Sequence, residues 1–184
     1  HSEVRAIMLS LRSEGMRVRG ILHAARQQLG SHRSAVRNLQ RASDPKTNGA
    51  IALQAASMSA PLVLFNVLSS ISSLLGGTRD FANAAADAYL DALVRWRRSH
   101  GMCGLALNWL DVPDPRSAVS AAPRAGFHPV SRELAFAALR ISLIPACQSF
   151  ALLPAIWSTL LTDGQPRGFL APYAHLGGER PPLS

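Results

Sequence analysis

Several things are scarce in this 184-residue sequence, and each scarcity excludes something. The two cysteines, Cys103 and Cys147, show no C-x-x-C spacing and no paired histidine, so neither a zinc site nor a disulfide framework is expected. The six histidines are not spaced as ligands, and no metal is read. Charged residues make up only 16% against 48% hydrophobic, which argues against a disordered chain and suits one well-buried α/β domain. No G-x-G-x-x-G occurs anywhere, so the glycine turn that cradles a dinucleotide pyrophosphate is absent from these residues. Lysine occurs once, at Lys46, among 19 basic residues. The sequence opens on an amphipathic helical pattern rather than a charged cap and an apolar run, so no signal peptide is read and a reducing, cytoplasmic setting is expected.

What is present is an excess of arginine. The net charge is +8 and the pI about 11.1. The arginines are scattered singly, with Arg95, Arg97 and Arg98 the densest group, and dispersed charge reads as solvated helix faces. Nucleic-acid binding stays as a rival reading of that charge. The segment from Ile141 to Thr162 carries no charge and is long enough to span a bilayer. Pro145, Gln148, Ser149 and Pro154 interrupt it, so a helix end, a loop and a strand over Phe150 to Trp157 are expected instead, and no membrane contact.

The rest is organised around Leu62 to Arg98. From Ala60 to Leu68 only Pro61 and Asn66 break an apolar run, the signature of a strand buried on both faces. Ser69-Ser70 is expected to open a loop closed by Gly76-Gly77. From Asp80, the residues Phe81, Ala85, Ala88, Tyr89, Ala92, Leu93 and Trp96 recur at three- and four-residue steps and predict the buried stripe of a helix. Upstream, Ser2 to Glu14 reads as a helix with Val4, Ile7, Met8 and Leu11 on one face, and Arg17 to Ala24 as a strand. Helices follow over Ser34 to Ser43 and Pro45 to Met58, with Asp44 as N-cap. Downstream come a strand over Cys103 to Trp109, a loop over Pro113 to Pro123, and a Ser131-capped helix carrying Leu134, Ala135, Ala138, Leu139 and Ile141. A last strand is read near Leu152 to Trp157. A single domain over 1–176 and a linker tail over 177–184 are expected. Strand, serine loop and helix together form half of an open parallel sheet, whose ligands bind at the carboxyl ends of the strands.

The stretch SSISSLLGG, followed by DFANAAADAYLDALVRWRRSHGM and LALNWL, resembles the catalytic half of the ketoreductase domain of modular polyketide synthases, a branch of the short-chain dehydrogenase/reductase family. The resemblance implies a Rossmann-type α/β fold, a parallel sheet with flanking helices. The nucleotide-binding strands are missing here and are expected to precede residue 1. It also implies the reaction: NADPH-dependent reduction of a β-ketoacyl group held on the phosphopantetheine of an acyl carrier protein, among neighbouring synthase domains. A basic surface would suit that anionic cofactor or carrier.

The same resemblance assigns positions. Lys46 precedes Ser70 by 24 residues, the family's lysine-to-serine separation. The tyrosine and asparagine of the family motif fall on Asn83 and Asp87. His23-Ala24-Ala25-Arg26 stands for the His-Ala-Ala-Gly turn beside the cofactor, and Asn108-Trp109-Leu110 for Asn-Trp-Gly. Lys46, Ser70, Asn83 and Asp87 are thus the candidate catalytic positions, and His23, Ala24, Ala25, Lys46, Asn108 and Trp109 the candidate cofactor contacts. Gln28-Leu29-Gly30 replaces the Leu-Asp-Asp of one stereochemical class. In the family the serine hydrogen-bonds the carbonyl, the tyrosine gives the proton, and the lysine acidifies it while holding the ribose. An amide at position 83 is far too weak an acid for that transfer, and a carboxylate at 87 is placed to pair with Lys46. The reading is therefore a reductase impaired in this copy. A non-catalytic structural module and a basic nucleic-acid-binding reuse of the fold are its alternatives. His23 as a packed strand-end residue and Lys46 as a surface charge remain open.

Overall fold

The computed structural model describes residues 2–25, 40, 44–75, 81–110, 126–145, 147–161 and 168–176. Its centre is a four-stranded parallel sheet in the order β1-β2-β3-β4, made of Gly20–His23, Leu64–Ser70, Leu105–Trp109 and Phe150–Leu152. Each strand pairs with its successor: His23 lies opposite Val67, Ser69 opposite Asn108, Ser70 opposite Trp109, and Trp109 opposite Leu152. The strands are short, and parallel neighbours demand crossovers between them.

The crossovers place helices on both faces. Helix α1 (Ser2–Ser13) packs against α2 (Gly49–Ser57), which a π-helical turn over Asp44–Asn48 precedes. The expected Asp44-capped α-helix over Pro45 to Met58 therefore begins one turn later, at Gly49. Within the turn, Asn48 donates to the Asp44 carboxylate at 3.1 Å. A single turn, α3 (Ser72–Leu75), leads towards the long helix α4 (Phe81–Ser99). Beyond β3 lie α5 (Arg132–Ser142), the short α6 (Trp157–Leu160) and a 3₁₀ segment over Gly168–Leu176. One core joins Ala50 of α2 and Leu90, Leu93 and Val94 of α4 to Phe65, Val67 and Ala106 of the sheet. A second, on the opposite face, joins Leu105 and Leu107 to Ala138 of α5. The central strands β2 and β3 are thereby buried on both sides, as their apolar runs require.

Four expectations need correction. Strand β2 starts later than Ala60 and runs through the serine pair, so Ser69 and Ser70 are its last two residues and not the start of a loop. The last strand ends at Leu152, and Trp157 opens a helix. On α4 the buried side is Ala82, Ala86, Asp87, Leu90, Asp91, Leu93, Val94 and Arg97, whereas Phe81, Ala85, Ala88, Tyr89, Ala92 and Trp96 face outward. Arg97 is not a solvated charge either. Its Nε donates to the Cys103 backbone carbonyl at 2.7 Å, its Nη1 to the Gln54 side-chain Oε1, and its guanidinium sits 3.9 Å over the Phe65 ring. Burial lowers its pKa. The expected Ser131 cap is present, its hydroxyl accepting from Leu134 N–H at 3.2 Å, though Leu134 and Ile141 are exposed. Among the described residues no helix is long and apolar enough to cross a membrane. The segment read against that possibility is broken into the end of α5, β4 and α6. The helix expected over 34–43, apart from Gln40, and the loop over 113–123 lie outside the described residues, as do Arg26, Gln28, Leu29, Gly30 and the tail.

Candidate active site

Chain topology brings the singled-out residues to one edge. His23, Ser70 and Trp109 are the last residues of β1, β2 and β3, and the amino-terminal half of α4 runs past the same carboxyl ends. Lys46 reaches that edge from the π-helical turn.

Lys46 is the sharpest feature. It is 7% exposed, and its Nζ donates to both oxygens of Asp87, at 2.8 and 2.9 Å, while Asp87 is 1% exposed. Two of the three ammonium protons are thus held by a carboxylate out of water, where the pair is screened little. Lys46 is therefore not a surface charge. One α-helical turn separates Asn83 from Asp87 on α4, so both face the sheet, Asn83 half-buried. His23 is packed at its strand end, 6% exposed, and its ring Nε2 lies 2.8 Å from the Lys46 carbonyl. Since a carbonyl only accepts, Nε2 carries a proton. Burial, seconded by the Lys46 charge, lowers the His23 pKa against the opposing pull of that hydrogen bond. Ala24 is exposed and Ala25 half-buried just beyond it.

Ser70 closes on its own chain. Its Oγ accepts from the Ser72 N–H at 3.1 Å and donates towards the Ser72 hydroxyl at 3.2 Å. Beside it lies a buried polar cluster that sequence reasoning did not find. The Asn108 side-chain amide meets Asp91 Oδ1 and Oδ2 at 3.1 and 3.0 Å, and the hydroxyls of Ser69 and Ser73 at 3.1 Å each. Ser73 donates to Asp91 at 2.6 Å. Ser69 in turn donates to the Asp87 carbonyl at 3.3 Å, which links this cluster to the ion pair. Asn108 therefore knits β3, the serine segment and α4 together. One signal was available: Asp91 stands four residues after Asp87, on the same helix face. Among the described residues no group of three or more His, Cys, Asp or Glu is placed to hold a metal.

The arrangement can orient a carbonyl near Ser70, but the group nearest the tyrosine position is an amide.

The KR domain family model matches residues 1–114. Over 100 residues the chain is 38% identical to a component of the phenolphthiocerol/phthiocerol polyketide synthase of Mycobacterium tuberculosis, a match that covers 53% of this chain and 6% of that protein. In structure it is similar to the ketoreductase from the first module of phoslactomycin biosynthesis in Streptomyces sp. HK803, with a TM-score of 0.74 and 22% identity over 91% of this chain and 41% of that one. An A-type ketoreductase from a modular polyketide synthase gives a TM-score of 0.76 and 21% identity over 94% of this chain and 40% of the other. At these identities the structural matches speak for the fold. The chain spans a small part of the synthase it matches and about two-fifths of the solved ketoreductases.

Proposed function

This chain belongs to the KR domain family, and from that premise we propose that it is a ketoreductase domain of a polyketide synthase, impaired at its proton-transfer step. The family reaction is reduction of a β-ketoacyl group presented by the phosphopantetheine arm of an acyl carrier protein, within a cytoplasmic synthase whose other domains adjoin this one. The domain is taken to run over 1–176. The observation that carries the impairment is the closed Lys46–Asp87 ion pair beside Asn83.

NADPH supplies the hydride in this family. The residues present do not fit its ribose. Lys46 would have to leave a bidentate carboxylate to reach a sugar hydroxyl, trading a buried charge pair for a neutral contact. The chain's own residues can still bind and orient: Ser70 can turn its hydroxyl from Ser72 to a carbonyl oxygen, and the Asn83 amide can donate a hydrogen bond. Neither delivers a proton near neutral pH, and loss of a general acid costs roughly a hundred- to ten-thousand-fold in rate.

The same ion pair favours a second reading, a structural module in which Lys46 and Asp87 lock α4 to the π-helical turn and nothing is catalysed. The two separate in one experiment. The protein, expressed from its full reading frame, is titrated with NADPH by fluorescence and assayed with a β-ketoacyl thioester, alongside Asn83→Tyr and Asn83→Tyr/Asp87→Asn. Turnover that rises at least a hundredfold in the double variant supports the impaired reductase. No NADPH binding in any of the three proteins, each verified as folded, leaves the structural module.

A further inference from the structure

The end of the sheet opposite Ser70 carries a surface that the reductase reading leaves unused. All four strands are parallel, so their amino ends share one edge, and α4 and α5 both run back to it before β3 and β4 begin. On that edge Val63, Ile144 and Pro145 border a depression of about 10 Å³, room for one water molecule at most. Val63 is 38% exposed, Leu143 50% and Ile144 55%. Arginines surround this apolar centre. Arg19 lies on the β1 side, where its backbone carbonyl accepts from Val63 N–H at 2.8 Å. Arg98 lies on the α4 side, its Nη1 donating at 3.2 Å to the carbonyl of Gly104, which also borders the depression. Arg140 is in the last turn of α5, four residues before Ile144. Arg95 and the exposed Trp96 belong to the same end of α4 as Arg98.

The chemistry of this edge narrows what it meets. Arg19, Arg95, Arg98 and Arg140 are exposed, and among the described residues none of them pairs with a carboxylate. Glu14, just past the end of α1 and bonded to the Ser10 hydroxyl at 3.2 Å, is the one described carboxylate near the edge. A partner must therefore be anionic and must offer an apolar interior behind its charges. A partner helix needs a groove to lie in, and a depression of this size provides none. A nucleic acid needs ring faces to stack on, and the Trp96 ring is itself packed on His100, with centroids 4.3 Å apart. A bilayer with anionic headgroups needs neither. It takes apolar side chains that project from a basic surface, and Leu143, Ile144 and Trp96 do so.

We propose that the amino-terminal edge of the sheet lies on an anionic lipid surface, with Leu143 and Ile144 inserted at the headgroup boundary and the arginines on lipid phosphates. Such contact needs no spanning helix, so it is compatible with the lack of one among the described residues. Strand β2 is seven residues long, which sets its two ends about 20 Å apart. Ser70 and the Lys46–Asp87 pair then face away from the lipid and stay open to a partner arriving from solution. The inference goes beyond the reductase reading and stands whether or not this copy reduces anything.

The test is co-sedimentation of the protein with vesicles of phosphatidylcholine alone and of phosphatidylcholine and phosphatidylglycerol in equal parts. Binding is expected to the mixed vesicles only, and to weaken as salt is raised. Arg19→Gln, Arg95→Gln and Arg140→Gln should each weaken it by about fivefold. Leu143→Ser/Ile144→Ser should weaken it by about tenfold or more, whereas Phe81→Ser, at the far end of α4, should leave it unchanged. Mixed vesicles should shift the tryptophan emission of the wild type to the blue, and that of Trp96→Phe less. No binding to mixed vesicles, equal binding to both kinds, or a loss in Phe81→Ser as large as in Leu143→Ser/Ile144→Ser would overturn the proposal. So would mixed-vesicle binding that Leu143→Ser/Ile144→Ser keeps in full. If polyglutamate or a single-stranded oligonucleotide then displaces the vesicles, the edge is a face for an acidic protein or a nucleic acid instead.

Discussion

A single change of functional group at position 87 alters what Lys46 can do. Where the resemblance puts an asparagine, an amide would offer the ammonium one neutral acceptor; the carboxylate offers two charged ones, and both are used. The pairing of Lys46 with Asp87 was legible from the positions that the resemblance assigns to them. Asp91 was not, since its partner Asn108 is 17 residues away and only the β2–β3 register brings Ser69 and Asn108 together. His23 carries a prediction at this scale. Its pKa in the folded protein lies below the ordinary 6.5. As pH falls through 6.5 the unfolded chain takes up the proton first, so unfolding gains free energy and stability drops. The melting temperature is expected to fall between pH 7.5 and 5.5, and His23→Gln should flatten that slope. An unchanged slope in the variant would mean that the imidazole titrates alike in both states.

Elements were readable where one face is unambiguously apolar and misread where it is not. The α4 sequence carries two possible stripes. One is rich in large apolar residues, Phe81, Tyr89 and Trp96; the other mixes Ala82, Ala86, Leu90 and Val94 with Asp87, Asp91 and Arg97. Periodicity selects the first, and the fold buries the second, because each of its polar members has a partner inside: Lys46 for Asp87, Asn108 and Ser73 for Asp91, Cys103 and Gln54 for Arg97. Partners distant in sequence are invisible to a helical pattern. The loop joins are governed by local sterics. Gly101 ends α4 at φ +71° with open space around it, whereas Gly126 lies at φ +87° with Leu160 Cδ2 2.6 Å from where a Cβ would stand. Gly101→Ala should cost about 1–2 kcal/mol from left-handed backbone strain alone. Gly126→Ala carries that strain and a clash, and is expected to cost more by chemical denaturation. Equal losses would show that Leu160 yields freely.

At the scale of the molecule, a parallel sheet with flanking helices follows from apolar strands separated by helical segments and was legible for that reason, whereas the order β1-β2-β3-β4 was not, because the same alternation allows several orders. How unevenly the sheet is buried was not, because neighbours on both faces decide it. Phe65, Val67, Leu105, Ala106 and Leu107 are all under 4% exposed, while β4 has no buried residue and β1 has only His23. Local opening is costliest where the most apolar surface would be exposed. Native-state hydrogen exchange should therefore be slowest at the amides of Val67 and Leu107 and faster, by an order of magnitude or more, at Ala151 and throughout α1, which buries no residue. That gradient bears on the site. Ser69, Ser70 and Asn108 are anchored in the two most buried strands, so the candidate site rests on the part of the sheet expected to open least. Exchange at Ala151 as slow as at Val67 would show that burial does not grade the opening of the sheet.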